Sequence, residues 1–172
     1  MIRSLFTYIV IVWSVMSYAQ NDFYMSNSSS SDCKGNLFDS DANQVATGDY
    51  DHNEDYIFTI CVPGADYIEF TFSSFCTEAV EDYIIFYDGS DTTASKLTGK
   101  LSGSKTPGTV RSTDSCLTIY FHSDVSVSCD GWEGSWSTKV IPILPPRFII
   151  PPVASCEDVN LGFKFDQKWN CD

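Results

Sequence analysis

Three acidic side chains lie within five positions of one another: Glu78, Glu81 and Asp82, in the stretch FSSFCTEAVEDYIIFYDG (72–89). They directly precede the run YIIFY, which has the apolar and aromatic composition of a strand. Repulsion between neighbouring carboxylates is unfavourable unless a cation lies among them. The spacing therefore raises the hypothesis of a shared divalent cation. The alternative is a solvated acidic loop at the end of a strand.

The chain as a whole is also acidic. Its 172 residues carry 23 Asp and Glu against 10 Lys and Arg, a net charge of −13. This excess argues against nucleic acid as the natural partner, because phosphate binding needs a basic surface. It favours a divalent cation or a basic partner, or else a surface charge that only keeps the protein soluble.

The N-terminal stretch MIRSLFTYIVIVWSVMSYAQ is typical of a secretory signal peptide, predicted over residues 1–19. Arg3 supplies the charged start, residues 5–16 form an apolar run, and small residues precede the predicted cleavage after Ala19. The run is too short to span a bilayer comfortably, and the alternative is an uncleaved, amphipathic or anchored N-terminus. Cleavage removes one basic residue and leaves a net charge of −14. No later stretch of the sequence is predicted to cross a membrane.

The cysteines indicate an oxidising compartment. There are seven, all after the predicted cleavage point: residues 33, 61, 76, 116, 129, 156 and 171. Behind a signal peptide they predict a disulfide framework, with one thiol left over because the number is odd. Zinc is disfavoured, because the chain has no CxxC and neither His52 nor His122 pairs with cysteines at finger spacing.

The elements that position the acidic residues are predicted to be strands. Short β-branched and aromatic runs alternate with turn residues from Cys33 to about Ser137, which indicates an all-β fold without long helices. In DYIFTIC (55–61), Tyr56, Phe58 and Ile60 should share one face; in CLTIYF (116–121), Leu117, Ile119 and Phe121 should do the same. Further predicted strands lie at 67–72, 83–89, 97–103, 107–112 and 131–141.

The two flanks have a different composition. Residues 20–32 are polar and serine-rich, which predicts a loose leader. Residues 141–152 hold five of the seven prolines, which predicts a stiff extended linker. Residues 153–172 are too few to build a core, and they are interpreted as a Cys-bracketed tail or the start of another module.

Four segments, FSSFCTE, EDYIIFYDG, LTIYFHSDVS and DGW, occur in an order that resembles the CUB family of extracellular modules. The resemblance covers about residues 33–138 and implies a CUB domain over 33–140. It implies an all-β, two-sheet antiparallel jelly-roll sandwich that works by recognition. The segments TIC and PGTV are closer in style to CUB modules of secreted bacterial surface proteins.

The resemblance to the calcium-binding branch of this family also implies a site. Three motif acids of that branch hold Ca²⁺, and the matching positions here are Glu78, Asp82 and Asp124. The backbone carbonyl of Ser126 is a further candidate ligand, and Tyr50 matches the tyrosine that supports the site. Ca²⁺ prefers oxygen ligands from flexible loops, which agrees with this set. Glu81 is interpreted as a bystander, because Asp82 occupies the motif position.

The chain departs from the family at the loop AVE (79–81), which is shorter than in many calcium-binding relatives, and at Val127, where an Asn is often found. The family's first disulfide maps to Cys33–Cys61. Cys116 and Cys129 bracket the last motif strand and its loop and are predicted to pair, and a Cys156–Cys171 bond is predicted in the tail. Cys76 is then left over, either as a buried thiol or as a reactive or intermolecular one.

Catalysis is not expected. No nucleophile-elbow, zinc-protease or phosphate-loop motif occurs, and His122 and Asp124 are too close along a strand to form a triad. The favoured function is a secreted, calcium-binding recognition module whose ligand presents Lys or Arg. One alternative is a structural or adhesive part of a larger surface protein in which calcium only stabilises the fold. Another is the binding of a surface glycan by exposed aromatic residues.

Overall fold

The computed structural model describes residues 21–40 and 49–140. Ten strands and no helix occur in these ranges, so no helix among them is long and apolar enough to cross a bilayer. The strands are β1 (Asn21–Tyr24), β2 (Ser28–Ser30), β3 (Lys34–Phe38), β4 (Asp55–Cys61), β5 (Tyr67–Cys76), β6 (Tyr83–Asp88), β7 (Ser95–Lys96), β8 (Thr109–Arg111), β9 (Cys116–His122) and β10 (Gly131–Lys139).

The strands form two five-stranded sheets. Sheet A has the order β1-β3-β10-β5-β8 and sheet B the order β2-β4-β9-β6-β7. The predicted two-sheet sandwich is confirmed, with one difference at its edges: β1 pairs with β3, and β2 with β4, in parallel. The parallel pairs arise because the chain crosses from sheet A to sheet B and back between β1 and β3, and parallel neighbours need such a crossover.

Alternating side chains of both sheets meet in an aromatic core. Phe58 and Ile60 of β4 and Leu117, Ile119 and Phe121 of β9 are fully buried, which confirms the faces predicted for these strands. The sheets touch through ring contacts, with centroids 5.4 Å apart for Phe70 and Phe86 and 6.2 Å apart for Phe121 and Trp132. Such edge and tilted contacts add to the burial of large apolar side chains, which is the main force holding the sheets together.

Glycine is required where β3 approaches β10. A Cβ atom on Gly35 would collide with the Trp136 ring, which covers that position of β3. The Trp136 Nε1 donates a hydrogen bond of 2.9 Å to the carbonyl oxygen of Asp32, so its polar edge is satisfied although the ring is buried. Both tryptophans of β10, Trp132 and Trp136, therefore belong to the core.

The serine-rich segment is not the loose leader that its composition predicts. Residues 21–30 form the edge strands β1 and β2, one on each sheet. Met25, between them, is buried in the core, and the Phe23 ring lies 5.2 Å from the Trp136 ring. The core contacts of Met25 and Phe23 hold the segment together with the edges of β3 and β4, which supply backbone hydrogen-bond partners.

Two disulfides differ from the predicted pairing. Cys61 is bonded to Cys116, and Cys76 to Cys129, so the predictions Cys33–Cys61, Cys116–Cys129 and an unpaired Cys76 are wrong. Cys33 is disulfide-bonded, but not to Cys61. Strand register explains the correction: Cys61 and Cys116 are opposite residues of β4 and β9 with Cα atoms 4.2 Å apart, whereas Cys76 lies opposite Gly131, close to Cys129.

Several predictions fall outside the described residues. These are the signal peptide over 1–19, the proline-rich linker over 141–152, the tail over 153–172 and the Cys156–Cys171 bond. They stay predictions.

Candidate metal centre

Two loops meet at one end of the sandwich. The loop of residues 77–82 joins β5 to β6, and the loop of residues 123–130 joins β9 to β10. Together they bring Glu78, Asp82 and Asp124 so close that one carboxylate oxygen of each lies within 4.8 Å of the others. No other group of three or more His, Cys, Asp or Glu in the described part of the chain has metal-ligand spacing.

Thr77 closes the first loop. Its hydroxyl donates to the Asp82 carbonyl oxygen at 3.3 Å and accepts a hydrogen bond from the Gly103 backbone N–H at 3.0 Å. The loop is therefore tied across its own base and to the neighbouring chain. Because Thr77 is buried, water does not compete for these bonds.

Asp82 organises the cluster from below. It is fully buried; its Oδ2 accepts from the Tyr50 hydroxyl at 2.5 Å, and its Oδ1 accepts from the Asp124 backbone N–H at 2.8 Å. The Tyr50 oxygen also accepts from the Glu78 N–H at 2.9 Å, so Tyr50 contacts the two loop acids that belong to the cluster. Burial first, and then the hydrogen bond to Asp82, raise the pKa of Tyr50, so the hydroxyl remains a donor.

Asp124 is held by its own backbone and by the loop before β4. The Asn53 N–H donates to the Asp124 carbonyl oxygen at 2.7 Å, and the Ser126 N–H donates to the Asp124 Oδ1 at 2.8 Å. Ser123 fixes the same junction: its hydroxyl accepts from the Glu54 N–H at 2.9 Å and donates to the Asp51 carbonyl oxygen at 2.7 Å. Residues 51–54 and residues 123–126 are therefore held together behind the Asp124 carboxylate.

Glu78 is the least satisfied member of the cluster. Its Oε2 is out of contact with solvent and has no hydrogen-bond partner. Loss of solvent, followed by repulsion from Asp124, Asp82 and Glu81, raises the pKa of Glu78 above its ordinary value. His52 opposes this shift, with the smallest effect of the five. Loss of solvent and the acidic neighbours therefore outweigh His52, and the negative charge of the Glu78 carboxylate is not fully balanced.

The backbone around the acids is unusual. The described residues contain three non-glycine residues with positive φ: Asn53 at 61°, Val80 at 81° and Val127 at 58°. Val80 lies between Glu78 and Asp82 in the sequence. Asn53 is hydrogen-bonded to Asp124 through the backbone, and Val127 follows Asp124 by three residues. A β-branched residue rarely adopts this conformation, so strain is concentrated in the loops that carry the acids.

The Cys76–Cys129 bond links these two loops. Cys76 ends β5 one residue before the first loop, and Cys129 lies in the second, 5 residues after Asp124 in the sequence. The Cys61–Cys116 bond joins the last residue of β4 to the first residue of β9, at the end of this strand pair away from the acidic loops. One disulfide therefore braces the acidic end of the sandwich and the other braces the far end.

The sequence-predicted residues have the following places. Glu78, Asp82 and Asp124 are brought together, and Tyr50 lies against two of them. Glu81 is exposed and outside the cluster. The Ser126 carbonyl remains a predicted ligand. Sequence reasoning missed Thr77 and Ser123, and only the serine that opens the motif SDVS gave a signal for the latter.

The two histidines do not form a catalytic pair. His52 is exposed, and His122 is on the outer face of β9, where its Nδ1 lies 2.9 Å from the Asp55 Oδ1. Tyr120 donates to the same Asp55 oxygen at 2.5 Å. These hydrogen bonds, that of Tyr120 first, lower the pKa of Asp55. The pair His122–Asp55 thus lies at the surface, outside the acidic cluster.

Comparison with known proteins identifies the class. A CUB domain family model matches residues 33–136. The chain is 33% identical over 138 residues to dog (Canis lupus familiaris) cubilin, which covers 72% of the chain and 4% of cubilin. It is 38% identical over 76 residues to mouse (Mus musculus) tolloid-like protein 2, which covers 42% of the chain and 7% of that protein.

A solved structure of the MASP-1 CUB2 domain bound to Ca²⁺ has a TM-score of 0.55 at 22% identity, over 65% of this chain and 98% of that domain. At this identity the likeness shows the fold.

The chain therefore belongs to the CUB domain family. CUB domains are typically extracellular protein-interaction modules and are generally non-catalytic. The chain spans only 3% to 7% of the length of the cubilins and the tolloid-like protein that it matches. The bacterial style predicted from TIC and PGTV finds no support in these named relatives, which are mammalian.

Proposed function

We propose that this protein is a secreted, calcium-binding CUB module that recognises an extracellular protein, with no catalytic activity of its own. The observation that carries the proposal is the group Glu78, Asp82 and Asp124, whose oxygens lie within 4.8 Å of one another. The Glu78 Oε2, buried and without a partner, is the atom that most needs a cation. The calcium in the MASP-1 CUB2 structure supports the choice of ion.

The donor set suits calcium. Hard cations with six to eight oxygen ligands accept carboxylates, carbonyls and water from loops of this kind. Asp82 is oriented by two hydrogen bonds before any ion arrives, and Asp124 by two more. The Ser126 carbonyl is the proposed fourth protein ligand. Because these hydrogen bonds already orient the ligands, calcium binding has a smaller entropic cost.

The recognition mechanism depends on the negative charge that remains on the three carboxylates when calcium is bound. When bound, Ca²⁺ supplies two positive charges against three carboxylates, which leaves one negative charge at the tip. A Lys or Arg side chain of a partner can pair with it through a charge-assisted hydrogen bond. The proposed partner is therefore an extracellular protein that presents a basic residue. The predicted signal peptide and the disulfides support secretion.

Calcium titration with matched variants tests the site. For residues 20–172, we expect a dissociation constant of about 10⁻⁴ to 10⁻³ M, the range of extracellular modules. Glu78→Gln should abolish measurable heat of binding. Glu81→Gln is the control, because it removes an equal charge from the same loop outside the cluster and should bind normally. Equal loss in both variants, or no binding by the wild type, would refute the proposed site.

A second titration separates recognition from a purely structural role. If the tip recognises a basic group, an immobilised lysine peptide should bind in calcium and release in chelator. If calcium raises the melting temperature but no basic protein or peptide binds, the alternative of a structural building block takes precedence. Asp82→Ala is a poor probe for either question, since Asp82 also holds Tyr50 and Asp124 in place.

A further inference from the structure

Three exposed valines lie in the two loops that carry the acidic cluster. Val80, Val125 and Val127 are 67%, 72% and 59% exposed, more than any other large apolar residue in the described ranges. The remaining exposed ones, Ile57 and Val140, are 36% and 42% exposed and lie elsewhere in the chain. Each of the three valines is within three residues of Glu78, Asp82 or Asp124, and we call them the valine collar.

Turn chemistry does not account for valine at these positions. Val80 and Val127 have positive φ, where Gly or Asn is favoured and a β-branched side chain is strained. Val80 is nevertheless anchored in this conformation, because its N–H donates to the Ser102 Oγ at 3.2 Å. The collar therefore keeps apolar side chains in water at positions where a polar or smaller residue would fit the backbone better.

The charge of the molecule narrows the choice of partner. An anionic lipid surface would be repelled by a chain of net charge −13 and by the acids in the same two loops as the collar. A protein segment in which a basic side chain lies between apolar ones matches both features. Its charge complements the carboxylates and its apolar neighbours cover the valines.

From this arrangement we infer that the valine collar is the specificity determinant of the tip, and that its partner is a protein segment with a Lys or Arg flanked by apolar side chains. The inference rests on the proposed function and extends it. The acidic cluster holds the basic group, and the collar distinguishes an apolar setting of that group from a polar one.

Two short peptides test the inference in 5 mM calcium: acetyl-GLKLG-amide and acetyl-GSKSG-amide, immobilised and exposed to residues 20–172. The wild type should bind the leucine peptide about tenfold more tightly, because burial of apolar surface on the collar favours it. The triple variant Val80→Asn, Val125→Ser, Val127→Gly should bind both peptides equally. Asn and Gly tolerate positive φ, and Gly at position 127 adds no side-chain ligand for calcium, so this variant should fold and keep its calcium site unchanged. Ile57→Ser, away from the tip, should keep the preference.

The outcomes separate the two proposals. If the wild type does not bind calcium, the proposed function and this inference both fail. If it binds calcium but does not prefer the leucine peptide, or if the triple variant keeps the preference, the inference fails and the calcium site stands. If the valine substitutions change only the binding of phosphatidylserine vesicles, the collar serves a membrane and the inference is also overturned. Calcium affinity should be the same in the wild type and the triple variant.

Discussion

At the level of single residues, Asp82 and Glu78 have opposite roles, although both belong to the cluster and lie in the loop between β5 and β6. Asp82 is fully buried but has a donor on each oxygen, so its burial is compensated. Glu78 is only half-buried, yet its inner oxygen has no partner. A substitution of Asp82 therefore tests the architecture of the site, whereas a substitution of Glu78 tests its charge.

Glu78 gives a pH prediction for the calcium-free protein. Its pKa is raised by loss of solvent and by neighbouring acids, so the folded state holds this proton more tightly than the unfolded state. The free energy of unfolding should then fall as pH rises from about 4.3, the unfolded value for Glu, through the higher folded pKa. Glu78→Gln removes this loss. Melting curves in chelator should show the variant more stable at pH 7 and the two proteins equal near pH 4.

Glu81→Gln is the control for this pH series, since Glu81 is exposed and needs no compensation. In excess calcium at pH 7, the wild type should become the more stable of the two proteins, because only the wild type is stabilised by binding the ion. A wild type that is more stable than Glu78→Gln in chelator at pH 7 would contradict the account of Glu78 as an unbalanced charge.

The site residues show what a sequence reveals at this scale. The carboxylates could be predicted because each sits at a recognisable position of FSSFCTE, EDYIIFYDG and SDVS. The hydrogen bonds of Thr77 and Ser123 could not be predicted, because their hydroxyls bond to backbone groups that only the folded chain brings near, such as Gly103 and Asp51. Contacts of this kind have no local signature in the sequence.

At the level of elements, the two described disulfides form a matched pair. Their sequence separations are 53 and 55 residues, so in the chain-entropy view each contributes about 4 kcal/mol to the free energy of unfolding. They differ in place: Cys76–Cys129 links the acidic loops, whereas Cys61–Cys116 closes the far end. Their removal should therefore affect stability alike and calcium binding differently.

We predict that the double variant Cys76→Ala, Cys129→Ala weakens calcium binding about tenfold, the effect typical of groups that orient metal ligands. The double variant Cys61→Ala, Cys116→Ala should change the dissociation constant by less than about twofold under the same conditions, since it lies far from the ligands. Calorimetric titration at a temperature where both variants are folded measures this. Equal weakening in the two would mean that Cys76–Cys129 acts only through global stability.

The strands differ in how far the sequence could predict them. β4 and β9 were predictable because fully buried apolar residues recur at every second position of each strand, as expected for a strand with one face in the core. β2 was not, because its three residues are all serine and its pairing depends on the free edge of β4. The predicted disulfide pairing was wrong for the same reason. The partner of Cys61 follows from the register of β4 against β9, and this register cannot be derived from the sequence of either strand alone.

At the level of the whole molecule, the segment before Cys33 belongs to the folded domain. Met25 is 2% exposed, and its N–H donates to the Phe38 carbonyl oxygen at 2.9 Å. We predict that Met25→Ala lowers the free energy of unfolding by about 2 to 4 kcal/mol, as expected for a truncated core side chain. Urea denaturation measures the change. Ser29→Ala, at an exposed position of β2, should be nearly neutral, and a neutral Met25→Ala would restore the loose-leader interpretation.

The strand registers also show which end of the sandwich holds both the first and the last strand residues of the domain. β1 begins opposite Gly35 and β10 ends opposite Tyr67, whereas Cys76 and Gly131 mark the other end of sheet A, next to the acidic loops. The chain thus enters and leaves at one pole, and the acidic tip is the other pole. A module that followed β10 would therefore be attached at the pole opposite the acidic tip. A pulling force applied through that attachment would enter the sandwich away from the acidic cluster.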